Sequence, residues 1–260
     1  KIDINTAQRD YADFNDRLSS LINAKDLDPV MFLDMDRSEP HASARSAPLR
    51  IDCALTYLTG DPEISRNSPI NRVKRELTTD EWYRILNQIW EAGIPHVVFT
   101  GGEPTLRPDL LELISYAEKV GLVTGMITNG YRLIDKTYRE NLLKSGLDHL
   151  MVVLNPENPL SWECLDCILP EDIFVAVHLT INGQDNLIVD NIFSELKNKN
   201  VQAISLSVAK EALQPYLDYA RELAAKYQMN LIWDLPVPYS SLNPVSLEVT
   251  ASDPLYRSGS

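Results

Sequence analysis

The side chains in this chain that could do chemistry are few, and they fall mostly at the ends of short apolar runs. Three cysteines occur, Cys53, Cys164 and Cys167, and the last two form a C-x2-C pair. Thiolates are the soft donors that iron–sulfur clusters and zinc require. A closed zinc site needs four ligands, and no second C-x2-C exists, so the pair reads as plain buried or half-buried cysteines. The segment Thr100-Gly101-Gly102-Glu103-Pro104 combines two glycines, which let backbone groups approach a ligand without a Cβ, with a carboxylate and a proline. Carbonyls and a carboxylate held in one turn can accept from the ammonium group of a small zwitterion. Without further context, the same pattern reads as a tight turn whose glycines serve geometry alone.

Other polar candidates close their own runs. Thr128 and Asn129 follow Ile127, Asn155 follows Leu154, Thr180 and Asn182 flank Ile181, and Ser205 and Ser207 alternate with Leu206 and Val208. Asn155 offers both donor and acceptor, the equipment for a ribose or a carboxylate, and before Pro156 it equally suits a turn cap. His178 sits inside Phe174-Val-Ala-Val-His-Leu-Thr-Ile181, on the opposite face from Val175 and Val177, and reads as a satisfied core histidine. His96 opens a run at the expected barrel bottom, and His41 and His149 read as peripheral. Asp52, Glu103 and Asp234 are carboxylates that nothing in the sequence pairs, so a hydrolase or lyase built on them is a weak third class.

The elements that must position these residues alternate regularly. Apolar runs at 49–56, 95–100, 122–128, 148–154, 174–181, 201–207 and 229–233 read as strands covered on both faces. Amphipathic patterns at 79–92, 108–119, 135–145, 186–199 and 209–227 read as helices, with 159–169 a weak helix or irregular turn. Thr78-Thr79-Asp80-Glu81 and Ser207 to Glu211 carry helix-start residues, and Gly93, Gly121 and Gly146 stand where left-handed caps want glycine. Six consecutive βα units curl into a partial TIM-type (β/α)6 barrel, an α/β fold in which chemistry sits at the carboxyl ends of the strands. Residues 1–48 form an N-terminal helical and strand extension, with a helix over about 5–24, a strand at 29–34 and a linker at 37–48. Residues 49–235 form the barrel, and 236–260 a proline-rich exit segment and tail. The missing initiator Met and the Ser258-Gly259-Ser260 end suggest a processed or engineered chain.

The string Phe99-Thr-Gly-Gly-Glu-Pro-Thr-Leu-Arg-Pro-Asp-Leu110 resembles the motif by which radical S-adenosylmethionine (SAM) proteins hold the amino group of SAM. Ile127-Thr-Asn-Gly130 is similar to that family's third strand end. Arg75-Glu-Leu-Thr-Thr-Asp-Glu-Trp82 and Gly93-Ile-Pro-His-Val-Val-Phe99 are similar to its first helix and second strand. The likeness runs over about 49–245 and is strongest over 75–131. It implies a SAM site that includes Gly101, Gly102, Glu103, Pro104, Thr128, Asn129, Asn155 and Thr180, and a [4Fe–4S] cluster on a C-x3-C-x2-C loop after the first strand. When Thr56-Tyr57 is placed on the family's strand end, the three ligand positions fall on Thr59, Glu63 and Arg66 without a gap. None is a cysteine, and Cys53 comes several residues too early. The expected function is therefore a radical-SAM-fold pseudoenzyme that binds SAM, a related metabolite or a protein or peptide partner. The alternative is an active radical SAM enzyme whose cluster loop is altered in this chain.

The bulk composition agrees with a soluble globule. Hydrophobic residues make up 44% and charged residues 23% of the 260 residues. No apolar run approaches the roughly 20 residues that span a bilayer. The net charge of −13, with Arg72, Lys74 and Arg75 the densest basic cluster, argues against nucleic acid as a partner. Low, odd cysteine usage points to a reducing, cytoplasmic setting.

Overall fold

The computed structural model describes residues 47–60, 75–183, 185–209 and 211–232, together with Ile4, Gln8, Arg9, Tyr11, Ala12, Phe14 and Asn15. The chain divides into two compact units, Lys1–Arg45 and Ser46–Ser260. In the first unit the described residues are helical, and all but Ile4 fall within the helix expected over about 5–24. The strand expected at 29–34 and the exit segment 236–260 lie outside the described residues.

The second unit follows the alternation read from the sequence. Its strands are β1 (Arg50–Thr56), β2 (His96–Gly101), β3 (Val123–Thr128), β4 (His149–Leu154), β5 (Phe174–Ile181), β6 (Ala203–Val208) and the short β7 (Asn230–Leu231). Between them lie α1 (Thr79–Glu91), α2 (Leu110–Val120), α3 (Lys136–Lys144), α4 (Pro159–Ile168), α5 (Asn186–Asn198) and α6 (Gln214–Lys226). All neighbouring strands pair in parallel, in the order β1 to β7. This is a partial TIM-type barrel of six βα units followed by a short seventh strand on β6.

Two segments differ from expectation. The weak pattern at 159–169 is a regular helix, because Asn158 caps it through Leu160 N and Pro159 occupies its first turn. The helix expected from 209 begins only at Gln214, after a 3-10 turn at Glu211–Leu213, because β6 continues to Val208. Elsewhere local signals decide the ends. Thr78 and Glu81 form a reciprocal capping box on α1. Gly121, with φ of 100°, closes α2.

The two faces of the sheet pack differently, and that difference locates the site. Cys53, Leu55, Val97, Phe99, Met126, Val152, Val177 and Ile204 face outward into the main core, where they meet Leu86, Leu113, Ile114, Leu142, Leu165 and Phe193 of the helices. Each such side chain, fully withdrawn from water, contributes about 1.5–3 kcal/mol. Strand alternation turns the residues between them inward. There Val98, Ile127, Met151, Ala176 and Ala203 make a second, smaller apolar layer inside the barrel. The inner face above this layer, towards the carboxyl ends of the strands, is polar.

Candidate functional site

The Gly101-Gly102 turn is shaped by its own chain. Gly101 has φ of 132°, and a Cβ on it would lie 2.3 Å from Thr56 O. A Cβ on Gly102 would lie 2.1 Å from Leu58 O. The backbone of β1 runs on past Thr56 directly against this turn. Gly102 N donates to Thr56 O at 2.7 Å, and Glu103 N donates to Leu58 O at 2.6 Å. Only glycine allows so close an approach of two main chains.

Glu103 is placed differently from the sequence expectation of a carboxylate facing the barrel mouth. It is 3% exposed. Its Oε1 accepts from Thr105 N at 3.0 Å, Thr105 Oγ1 at 2.7 Å and Thr128 Oγ1 at 2.7 Å, and its Oε2 accepts from Asn129 N at 2.8 Å. Thr128 shares the outward face of β3 with Met126, so this carboxylate lies on the helix side of the sheet and fastens β2 to β3. Pro104 is buried at the start of a 3-10 turn. Asn129 Oδ1 accepts from Tyr131 N, and Asn155 Oδ1 accepts from Glu157 N. Both side chains therefore close turns, as the sequence allowed for Asn155. Among the residues expected at the SAM site, Thr180 is the one whose hydroxyl turns into the barrel.

Inside the barrel, His178 is the centre of a polar group the sequence did not assemble. It is 2% exposed. Its Nδ1 lies 3.1 Å from Ser205 Oγ and its Nε2 lies 3.1 Å from Ser207 Oγ and 3.3 Å from Thr180 Oγ1. Thr180 Oγ1 and Ser207 Oγ are 3.2 Å apart. Burial pulls the His178 pKa down to about 4, so the imidazole is neutral at physiological pH. It is the satisfied core histidine read from the sequence, and its partners are the strand-end residues Ser205, Ser207 and Thr180. Register explains the cluster, since His178 pairs with Ser205 and Thr180 with Ser207 across β5 and β6. That pairing is invisible until the strands are aligned.

The exit of β1 is held by charged side chains. Glu76 Oε1 accepts from Thr56 Oγ1 at 2.8 Å and from Tyr57 N at 2.9 Å. Arg107, 7% exposed, donates to Leu55 O at 2.7 Å, to Leu77 O at 2.9 Å and to both oxygens of Asp109. An open cleft of about 550 Å³ lies beside them, lined in part by Thr56, Glu76, Arg107, Asp109 and Glu112. Its carboxylates are engaged within the chain, Glu112 with the Tyr83 hydroxyl and Asp109 with Arg107 and Thr79.

The residues that the resemblance assigns to the cluster, Thr59, Glu63 and Arg66, include no thiol. Thr59 is half-buried with a hydroxyl for a side chain, and Glu63 and Arg66 lie outside the described residues. Cys53 faces the helices from the middle of β1, and burial, aided by the neighbouring Asp52 charge, pushes its thiol up to about 12. Cys164 is buried on α4, also pushed up to about 12 by burial and then by Cys167. A Cβ on Gly130 would lie 2.2 Å from Cys164 Sγ, so the thiol is packed against the turn after β3. Among the described residues no three His, Cys, Asp or Glu side chains converge as a metal site. A [4Fe–4S] cluster, which needs soft anionic sulfur donors, does not fit the residues present. At the opposite end of the barrel, His96 and His149 meet with Nε2 atoms 3.2 Å apart, so His149 is less peripheral than its sequence position suggests. Among the described residues, no helix is long and apolar enough to cross a membrane.

Comparison with known proteins covers the same region. The profile of the Radical SAM superfamily matches residues 54–155. The PqqA peptide cyclase of Bradyrhizobium diazoefficiens is 42% identical over 91 residues, 35% of this chain and 24% of that protein. The PqqA peptide cyclase of Gluconobacter oxydans is 41% identical over 109 residues, 41% of this chain and 30% of that protein. The chain thus spans less than a third of the length of these relatives. Among solved structures, Streptococcus suis SuiB bound to S-adenosylmethionine superposes with a TM-score of 0.57 at 18% identity, covering 72% of this chain and 50% of SuiB. SuiB bound to its precursor peptide SuiA gives 0.59 at 15% identity, covering 82% and 58%. These two likenesses concern the fold. With the profile match and the peptide cyclase relatives, residues 54–155 of this chain are similar to the radical SAM superfamily.

Proposed function

We propose that this chain is a peptide-associated member of the radical SAM superfamily in which the barrel serves as a binding scaffold and reductive cleavage of SAM has been given up. One observation carries the reading: the chain has no cysteine between Cys53 and Cys164, and the resemblance assigns the three ligand positions of the cluster loop to Thr59, Glu63 and Arg66. Neither a hydroxyl nor a carboxylate replaces a thiolate on iron, and a guanidinium opposes the metal charge. The polar inner face around His178 offers a place for SAM or a related metabolite. A peptide is the favoured macromolecular partner, because the relatives act on the peptide PqqA and SuiB binds the peptide SuiA. Anaerobic reconstitution with iron and sulfide tests the reading. The expected result is no stoichiometric cluster and no 5′-deoxyadenosine under reducing conditions. Iron and sulfide near four per chain with 5′-deoxyadenosine formation would remove it. Fluorescence anisotropy with a labelled PqqA peptide tests the partner class.

A second reading is favoured by the 42% identity to a peptide cyclase. In it, the native gene product carries a cysteine loop that this chain lacks, and the protein is an active peptide-modifying enzyme. The intact mass of the native product decides between them, since a mass equal to this sequence leaves no room for three added cysteines.

A further inference from the structure

We infer that His96 and His149 form a two-histidine site for a late first-row divalent metal such as Zn²⁺, at the amino-terminal end of the barrel. The site lies at the opposite end of the strands from the His178 group and does not depend on the function proposed above.

The first observation is a side chain crossing a glycine. Gly125 on β3 pairs with His149 on β4 and with Val98 on β2, and His96 lies two residues before Val98. Alternation therefore puts both histidines on the inner face of the sheet, on either side of Gly125. A Cβ on Gly125 would lie 2.1 Å from His149 Nε2 and 2.4 Å from its Cε1. The His149 ring thus occupies space over β3 that any other residue would fill. From there it reaches β2, where its Nε2 lies 3.2 Å from His96 Nε2, with the ring planes inclined at 61°.

The second observation is the spacing of the two nitrogens. Zinc holds imidazole nitrogens at about 2.0–2.1 Å, so two of them on one tetrahedral ion stand about 3.3–3.4 Å apart. The pair is already close to that spacing, on two strands held in register through β3. In the metal-free protein one Nε2–H donates to the other Nε2. An ion takes both lone pairs, and the donor ring then carries its proton on Nδ1, so no net proton is released. Imidazole suits zinc, copper and nickel rather than magnesium or calcium. Both rings are half-buried, which leaves the ion's remaining positions open to water.

The third observation is the setting. Two residues further along each strand, Val98, Ile127 and Met151 form an apolar layer that separates the pair from the polar inner face at the carboxyl ends. Arg50, in register with His96 on β1, donates to both oxygens of Asp52 at 2.7 and 3.1 Å, which offsets its charge beside the ion. The carboxylate of Asp148, next to His149 in the chain, accepts from Thr124 N at 2.7 Å and Thr124 Oγ1 at 3.2 Å. An ion at this place ties β2 to β4 across the strand between them.

The test is a Zn²⁺ titration of the untagged full-length chain, stripped of metal by chelator, in competition with a chromogenic zinc indicator. One equivalent is expected to bind. Zn²⁺ at about a hundred times its dissociation constant should raise the melting temperature by about 5 °C or more. His96→Asn and His149→Asn should each weaken Zn²⁺ binding at least about tenfold and abolish the rise. Gly125→Ala keeps both histidines but displaces the His149 ring, and should weaken binding by a similar factor. No Zn²⁺-dependent rise in the wild type overturns the inference and leaves a hydrogen-bonded pair. Undiminished affinity in the His96→Asn/His149→Asn double variant also overturns it, because the ion then sits elsewhere, on the cysteines for example. Affinity unchanged in Gly125→Ala, with both rings present, overturns the geometry on which the site is built.

Discussion

The Glu103 carboxylate accepts from the Thr128 hydroxyl at 2.7 Å, and through this contact the end of β2 is fastened to the end of β3 on the helix side of the sheet. All four groups that meet the carboxylate are donors, two of them backbone N–H groups. The Gly101–Pro104 turn, which in the sequence looks like ligand-binding equipment, is therefore a structural joint in its own right. Its persistence does not require a bound amino acid.

Glu103→Gln should destabilise the fold by about 2–4 kcal/mol, because the amide NH₂ would face a hydrogen-bond donor where an oxygen now accepts. Urea unfolding at neutral pH measures this as a lower midpoint with an unchanged m-value. Thr128→Val should cost less, since it removes one of the donors and leaves the carboxylate three.

Arg107 does for β1 what Glu103 does for β2. Its guanidinium reaches Leu55 O, Leu77 O and Asp109 from a position 7% exposed. Burial pushes the Asp109 carboxyl up, but hydrogen bonds from Arg107 and Thr79 outweigh it and hold the group below its ordinary range. Arg107→Met leaves two carbonyls and a carboxylate short of a donor and should cost about 3–5 kcal/mol. Arg107→Lys should recover only part of that, because an ammonium cannot reproduce the planar fork. A double-mutant cycle with Asp109→Asn should show coupling of more than about 1 kcal/mol. Additive losses would mean that the pair is incidental.

Much of this architecture is legible in the residues themselves. The strands announce themselves as runs of Val, Ile and Leu, and Thr78 with Glu81 and Gly121 mark helix ends by mechanism. The family likeness also follows from one string and its spacing. What the sequence conceals is direction and register. Glu103 reads as pointing to the mouth because a strand-end carboxylate usually does, and only the position of Thr128 on the outer face of β3 reverses that. His178, Ser205 and Ser207 are separated by 27 and 29 residues and come together through β5–β6 pairing. Thr100 sits within the motif itself, yet that its buried hydroxyl has no partner among the described residues emerges only from the structure.

His178 gives the fold a defined acid sensitivity. Burial lowers its pKa from 6.5 to about 4. The unfolded chain therefore binds the proton more readily than the native one, and stability rises with pH between these values. The contribution is fully present above pH 6.5 and is lost progressively as pH falls towards 4. One pKa unit corresponds to about 1.4 kcal/mol, so the change across this window is about 3 kcal/mol. His178→Gln keeps a polar side chain but no titration. The difference between the unfolding free energies of wild type and variant, followed from pH 7 to pH 4, should slope by that amount. A flat difference would mean that His178 is not buried in the neutral form.

The cysteines should report the same architecture from the outside. Cys53 is buried under the helices, Cys164 is buried against Gly130, and burial raises both thiols to about 12. Cys167, one turn further along α4, is half-buried. The thiolate is the reactive species, so reactivity follows exposure and acidity together. At pH 8 an aromatic disulfide reagent should modify one thiol of the native protein, and peptide mapping should find it at Cys167. The other two should react only as the chain unfolds, at a rate set by opening rather than by reagent concentration. Rapid labelling of Cys53 or Cys164 would show those sulfurs to be accessible, and would return them to consideration as iron ligands. Slow labelling of both, together with the absence of cysteine at 59, 63 and 66, leaves the barrel without a set of thiolates that could converge on a cluster.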